Sequence, residues 1–325
     1  MNLGIPGVDS QFAKGIERNL DEVEKLLSQQ IKGEYPLVVE TSRHLVEAGG
    51  KRFRPMLALI ASHFGSGPNQ KVIEAAVVCE LTHVATLYHD DVMDEAPLRR
   101  GVISANSKWG NTVAILTGDY LFSKASDLLA DLGPEAVRLQ AKTFERLVIG
   151  QIEETQGAKA DPLEHYLRVV QEKTASLIAT SARFGALFGG ATPEIVETLT
   201  DFGEKIGIAF QLADDVIDIA SDSNQSGKTP GTDLKEGVAT LVTLQILRSN
   251  KPEDARLKKI LSSPVPENEI PGLINELREN LALIEAKQYL HGLAGDCKEL
   301  LSNLPGGVAR DTLERLCDAI VDRTT

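Results

Sequence analysis

Apolar residues recur three and four positions apart along most of this chain. Few stretches alternate with the period of two that half-buried strands need. The pattern predicts an all-α protein, and helix stops are frequent. The clearest case is "ADPLEHYLRVVQEKTASLIATSARFGALFGG". There Asp161 can cap, Pro162 fits the first helical position and Glu164 completes a capping box, while Gly189 and Gly190 end the helix. "TPEIVETLTDFGEKIGIAFQLADDVIDIA" starts again at Thr192 and Pro193. Roughly ten to twelve helical segments are expected, several about twice the usual mean of about 11–12 residues. The helices around 71–91 and 111–131 are apolar on more than one side, which marks helices that are buried or packed in an oligomer. The segments Gly231–Gly237 and Pro264–Pro266 read as ordinary loops, and no stretch reads as a linker. A single domain over residues 1–325 is expected.

Two of these helices carry the same acidic pattern. In "LYHDDVMDEAPLRRG", Asp90, Asp91 and Asp94 follow an apolar run; in "QLADDVIDIA", Asp214, Asp215 and Asp218 do the same. On an α-helix the first and last of each triplet lie about 40° apart, with the middle one flanking. Three carboxylates held together repel one another and resist burial unless something neutralises them. One such cluster could be a solvated helix end. Two matching clusters, each closing an apolar run, point to a hard cation held by oxygen ligands. Magnesium fits, because it commonly takes one or two carboxylates and fills its shell with substrate phosphates. No His or Cys cluster has the spacing of a zinc site.

Cations stand beside both clusters. "GGKRFRP" places Lys51, Arg52 and Arg54 after a Gly-Gly turn, with Pro55 at a helix start, which is the setting of a phosphate site. Arg99 and Arg100 follow Asp94 closely, and Lys173, Thr174 and Lys228 lie near the second cluster. Alone, each is an ordinary surface cation. Together with two acidic clusters they form a site for a multiply charged anion, and a diphosphate fits.

Composition narrows the partners. A net charge of −13 argues against a general nucleic-acid binder, which needs a basic face. Three scattered cysteines, Cys79, Cys297 and Cys317, are read as free thiols of a reducing compartment. "MNLGIPGVDSQFAKGIERNL" lacks a basic region followed by an apolar core, so no signal peptide is expected. No uncharged apolar run reaches about 18 residues, so no membrane span is expected. A cytoplasmic protein is the resulting expectation, with room for a transient membrane contact.

The ordered motifs "GGKRFRP", "LYHDDVMDEAPLRRG", "GDYLF", "KTASL", "FQLADDVIDI" and "GKTPGTDL" resemble the trans-isoprenyl diphosphate synthases (polyprenyl synthetases) from about Gly49 to about Thr240. The resemblance implies the isoprenoid synthase fold, with long, mostly antiparallel helices around a deep central cavity, usually as a homodimer. It implies head-to-tail condensation of isopentenyl diphosphate onto an allylic diphosphate, the lost proton passing to the leaving diphosphate. By the same resemblance Asp90, Asp94 and Asp214 hold magnesium, supported by Asp91, Asp215 and Asp218. Arg99, Lys173, Thr174, Gln211 and Lys228 contact the allylic substrate. Gly50, Lys51, Arg54, His83 and Arg100 hold isopentenyl diphosphate. One position departs: many members have lysine where "DLKEGVATL" has Val238, and Lys235 is a candidate substitute.

Short-chain members of that family place an aromatic ring four or five residues before the first aspartate. Here Cys79, Thr82, Ala85 and Thr86 are all small. They are expected to form a wall that leaves room for a long product, hexaprenyl to nonaprenyl, with Phe122 or Leu129 as candidate floor. The alternatives are a farnesyl or geranylgeranyl diphosphate synthase, a terpene cyclase or head-to-head synthase, a helical metal-dependent phosphohydrolase, and a non-catalytic subunit of a heteromeric synthase. "GGKRFRP" argues against the cyclase, the second aspartate cluster against the hydrolase, and the intact aspartates against the inert subunit.

Overall fold

The computed structural model describes residues 3–220, 230–263 and 265–323, and these are helical apart from loops and one short hairpin. They fall into two compact units. One holds residues 1–144, 177–203 and 305–312; the other holds 145–176, 204–304 and 313–325.

The first unit is built around α4 (Gln70–Met93). Asn69 caps it by accepting the Val72 amide, and fourteen of its residues are buried. An apolar helix with no polar face can exist only if neighbours cover it on several sides. Those neighbours are α6 (Asn111–Leu132) above all, then α3 (Phe53–Ser62) and α1 (Ser10–Gln30). Asp9 caps α1 by accepting the amides of Gln11 and Phe12, and Ile16, Leu20, Val23 and Leu27 give it one buried stripe. Helix α2 (Pro36–Glu47) and the short α5 (Ala105–Trp109) pack on α6. Helix α3 begins two residues before Pro55, so the proline lies within the first turn rather than at the start.

Between α4 and α5 the chain makes a hairpin of β1 (Leu98–Arg99) and β2 (Val102–Ile103). Its two turn residues both have positive φ, 53° at Arg100 and 77° at Gly101. This is the primed turn that matches strand twist, and glycine suits its second position. The arginine is the costly member, since its Cβ opposes that conformation.

In the second unit lie the later part of α7 (Pro134–Gln156), then α8 (Pro162–Val170). Asp161 caps α8 by accepting from the Leu163 and Glu164 amides, as its sequence predicts. The long helix expected through residue 188 is interrupted: Gln171–Ala175 is one π-helical turn, after which α9 (Ser176–Phe188) resumes the α-form. Helix α10 (Pro193–Ala220) runs unbroken as expected. Gly231–Gly237, expected as a loop, encloses the one-turn helix α11 (Thr232–Glu236). Helices α12 (Leu241–Arg248), α13 (Ala255–Leu261), α14 (Ile270–Glu279), α15 (Leu281–Ser302) and α16 (Val308–Asp322) follow. Helix α12 packs on α8 and α15, burying Leu241, Val242, Leu244 and Ile246.

Candidate active site

The first acidic triplet sits at the C-terminal end of α4. Asp91 is fully buried, Asp90 is half-buried and Asp94 is exposed. The hairpin brings Arg99 back over them: its Nε lies 2.5 Å from Asp91 Oδ1, and its Nη2 lies 3.9 Å from Asp94 Oδ2. Burial raises the pKa of Asp91, and the Arg99 guanidinium opposes that rise. The other Asp91 oxygen, Oδ2, is buried with no hydrogen-bond partner. A buried orphan acceptor is costly and calls for a donor or a cation.

A cationic group lies in the same unit. Arg52 is buried, with Nη1 2.8 Å from Glu80 Oε1, Nη2 2.9 Å from the Val46 carbonyl, and Nε on Glu24. Arg100 donates to the Leu45 carbonyl at 2.8 Å and stands 3.7 Å from the same Glu80 oxygen. Those bonds compensate its strained backbone. A side chain at Gly50 would meet Arg52 Nη1 at 3.1 Å and Arg100 Cζ at 3.2 Å, so glycine there lets the two guanidiniums lie against the main chain. Arg54 is half-buried, its Nε sealed without a partner, and burial lowers its pKa. Burial, and then the charges of Arg54, Arg100, Arg52 and Arg99, push His83 well below the usual histidine range. His83 is therefore neutral near pH 7. Lys51 is exposed.

Arg52 and Arg100 thus converge on one carboxylate, Glu80, which is 2% exposed, with Gly50 against both guanidiniums. Sequence reasoning passed over Glu80, although a lone acid within "VVCELTHVA" was the signal: an acid in a fully apolar run needs a buried cation. It also grouped Arg52 with the phosphate cations, whereas here both its faces serve Glu24 and Glu80.

The second triplet lies on α10 in the other unit. Asp215 is buried, and Asp214 and Asp218 are half-buried. Asp215 accepts from Gln211 Nε2 at 2.9 Å on one oxygen and from the Tyr166 hydroxyl on the other. Thr174 donates in turn to Gln211 Oε1 at 3.3 Å. Burial pushes Asp215 up to about 6, despite those two donors. Asp218 accepts the Thr232 and Asp233 amides, each at 3.3 Å. Asp214 is ion-paired with Arg323 at the end of α16. Lys173 is turned to Glu154, 2.5 Å away. Its segment is held by Arg146, which pairs with Glu172 and Glu204. Lys235 reaches Glu267 at 2.8 Å on the surface, and Val238 is exposed. Lys228 lies outside the described residues. Nothing in the sequence tied Tyr166 or Arg323 to the aspartates, since both partners are remote along the chain.

Of the small residues on α4, Cys79, Thr82 and Ala85 are fully buried and Thr86 is half-buried. Burial lifts the Cys79 thiol to about 12. Thr82 accepts from Gln140 Nε2 at 2.7 Å, and Gln140 Oε1 is buried without a partner. Phe122 packs on Phe144 at 4.5 Å between ring centroids and on His89 at 5.7 Å. Leu129 is buried.

All-oxygen acidic groups suit a hard cation. Among the described residues no three His, Cys, Asp or Glu side chains stand close enough to hold a metal by themselves.

The polyprenyl synthetase family matches residues 35–277, and the chain belongs to that family. It is 45% identical over 324 residues to a nonaprenyl diphosphate synthase of Mycobacterium tuberculosis, covering 98% of this chain and 97% of that one. It is 37% identical over 304 residues to heptaprenyl diphosphate synthase component 2 of Geobacillus stearothermophilus, covering 92% and 93%. Among solved structures, a geranylgeranyl pyrophosphate synthase from Corynebacterium glutamicum, complexed with calcium and isoprenyl diphosphate, has a TM-score of 0.88. Its identity is 42%, and 97% of this chain and 98% of that chain are covered. Among the described residues no helix is long and apolar enough to cross a membrane.

Proposed function

We propose that this chain condenses isopentenyl diphosphate, head to tail and repeatedly, onto an allylic diphosphate, using magnesium, to make a long all-trans polyprenyl diphosphate. The observation that carries this reading is the shared construction of the two triplets. In each, the middle aspartate is buried and tied to protein donors, and its neighbours lie nearer solvent. Asp90, Asp94 and Asp214 would hold magnesium, with Asp91, Asp215 and Asp218 fixing the helix ends around them.

Bound magnesium would neutralise diphosphate oxygens as the allylic C–O bond breaks. Arg99, Lys173, Thr174, Gln211 and Lys228 would bind and orient that diphosphate, with Lys173 leaving Glu154 to do so. Gly50, Lys51, Arg54, His83 and Arg100 would hold isopentenyl diphosphate. Fixed cations aimed at charge that grows in the transition state are the main catalytic contribution here. Neutral His83 would add a hydrogen bond but no charge. The proton lost from the isopentenyl unit passes to the leaving diphosphate, so no protein base is required. Buried apolar faces keep water from the allylic cation.

Val148, Ile149 and Ile152 on α7 and Ile115 and Leu116 on α6 are exposed apolar residues suited to a second copy in a homodimer. A cytoplasmic location accompanies it.

Small Cys79, Thr82, Ala85 and Thr86 favour a hexaprenyl to nonaprenyl product. A geranylgeranyl product is the second reading. Gln140 across Thr82, about 12 Å of helix below Asp90, favours it. Incubating the purified chain with isopentenyl diphosphate, magnesium and geranyl, farnesyl or geranylgeranyl diphosphate, followed by chromatography of the prenyl alcohols, tests both. No chain elongation with any primer would sink the assignment.

A further inference from the structure

The Tyr166 hydroxyl has no place in the reaction as described, yet it touches the second aspartate triplet. Tyr166 is half-buried on α8, and its hydroxyl donates to Asp215 Oδ2. A tyrosine hydroxyl has one proton to give, and here it goes to Asp215.

The opposite oxygen of Asp215 is taken by Gln211 at 2.9 Å, and Gln211 is taken by Thr174 at 3.3 Å. Asp215 is therefore fixed from two sides: Gln211 comes from its own helix, and Tyr166 from α8. Remove the hydroxyl, and Asp215 keeps one donor and is free to rotate about it. Asp214 and Asp218, one residue before and three after, carry the carboxylates nearer solvent.

We propose that Tyr166 is a positioning residue for the second aspartate triplet, and that its hydrogen bond to Asp215 sets the affinity with which that triplet takes magnesium together with the allylic diphosphate. This rests on the reading of Asp214 as a magnesium ligand. Outer partners that orient a metal-binding group typically matter by about 10–100-fold in metal affinity. The bonded pair also joins α8, which leads into Lys173 and Thr174, to α10. One hydroxyl thus ties the metal-side carboxylates to the turn that carries the phosphate-side cation.

The test is Tyr166→Phe, which keeps the ring and removes the donor. Binding of an unreactive allylic thiolodiphosphate is followed by calorimetry over a magnesium series, alongside steady-state kinetics. The half-saturating magnesium concentration for analogue binding is expected to rise about tenfold or more. The allylic KM rises with it, and the KM for isopentenyl diphosphate stays within about twofold. Because Tyr166 acts through Asp215, Tyr166→Phe added to Asp215→Asn should cause no further loss. A purely structural role would lower the melting temperature and the active fraction but leave the magnesium midpoint in place. A midpoint and allylic KM within about twofold of wild type, or effects that multiply with Asp215→Asn, overturn the proposal. Asp214→Asn is the control for the underlying reading. If it binds the analogue with wild-type magnesium dependence, the site assignment itself has failed, whatever Tyr166→Phe does.

Discussion

The Arg52 guanidinium lies 2.8 Å from the Glu80 carboxylate, with both side chains 3% exposed. Two residues on, Arg54 has a sealed Nε with no partner at all. Neighbours in one motif thus have opposite occupations. Arg52→Ala should cost about 3–5 kcal/mol of stability, because it strands a buried carboxylate. Arg54→Ala should leave the unfolding midpoint nearly unchanged and raise the KM for isopentenyl diphosphate more than that for the allylic substrate. Urea unfolding and initial-rate kinetics on both variants decide. A rise confined to the allylic KM in Arg54→Ala would reverse the division of the two diphosphate sites.

Asp90→Asn and Asp214→Asn should each lower kcat by about a thousandfold or more, at unchanged helical content. A metal ligand needed as charge develops is lost in each. Near-normal turnover with either variant would be incompatible with the assigned magnesium ligands.

Asp215 gives a pH dependence with a definite sign. Burial raises its folded pKa from 3.8 to about 6, so the folded state prefers the protonated acid. The resulting contribution to stability is fully present below about pH 4 and is lost as pH rises through about 6. Asparagine cannot titrate. In the ligand-free protein, the stability of wild type relative to Asp215→Asn should therefore fall between those limits, by on the order of 3 kcal/mol. Chemical unfolding at half-unit pH steps measures it, and a flat or rising difference would contradict the burial argument.

Ala85→Phe should shorten the product sharply while condensation continues. Ala85 is fully buried one turn before the first aspartate triplet. Product chromatography is the readout, and an unchanged length would remove α4 as a wall of the hydrocarbon path.

The all-α class, the cap at Asp161 and the two long helices that carry the aspartate clusters were legible because each depends on residues close together in sequence. So were the triplets themselves, since their spacing alone places them on one helical face. What was not legible depends on chain segments meeting from far apart. Glu80 is an unremarkable acid until Arg52 and Arg100 arrive beside it. Arg323 is a late arginine until it reaches Asp214. Tyr166 is one more aromatic on a helix face until Asp215 meets its hydroxyl. Lys173, expected beside the second cluster, points to Glu154, a partner no spacing rule selects.

The π-helical turn at Gln171–Ala175 changes how this stretch must be counted. In an uninterrupted α-helix, Tyr166 and Thr174, eight residues apart, would point about 80° away from each other. The wider turn takes up most of that offset and swings Thr174 back toward the line of Tyr166. Both can then address the same partner helix, one through Gln211 and the other through Asp215. The segment behaves as a phase corrector whose function lies in its number of residues as much as in their identities. Drawn into an ordinary α-helix at unchanged length, "QEKTA" would leave Thr174 aimed about 80° away, with every side chain still present.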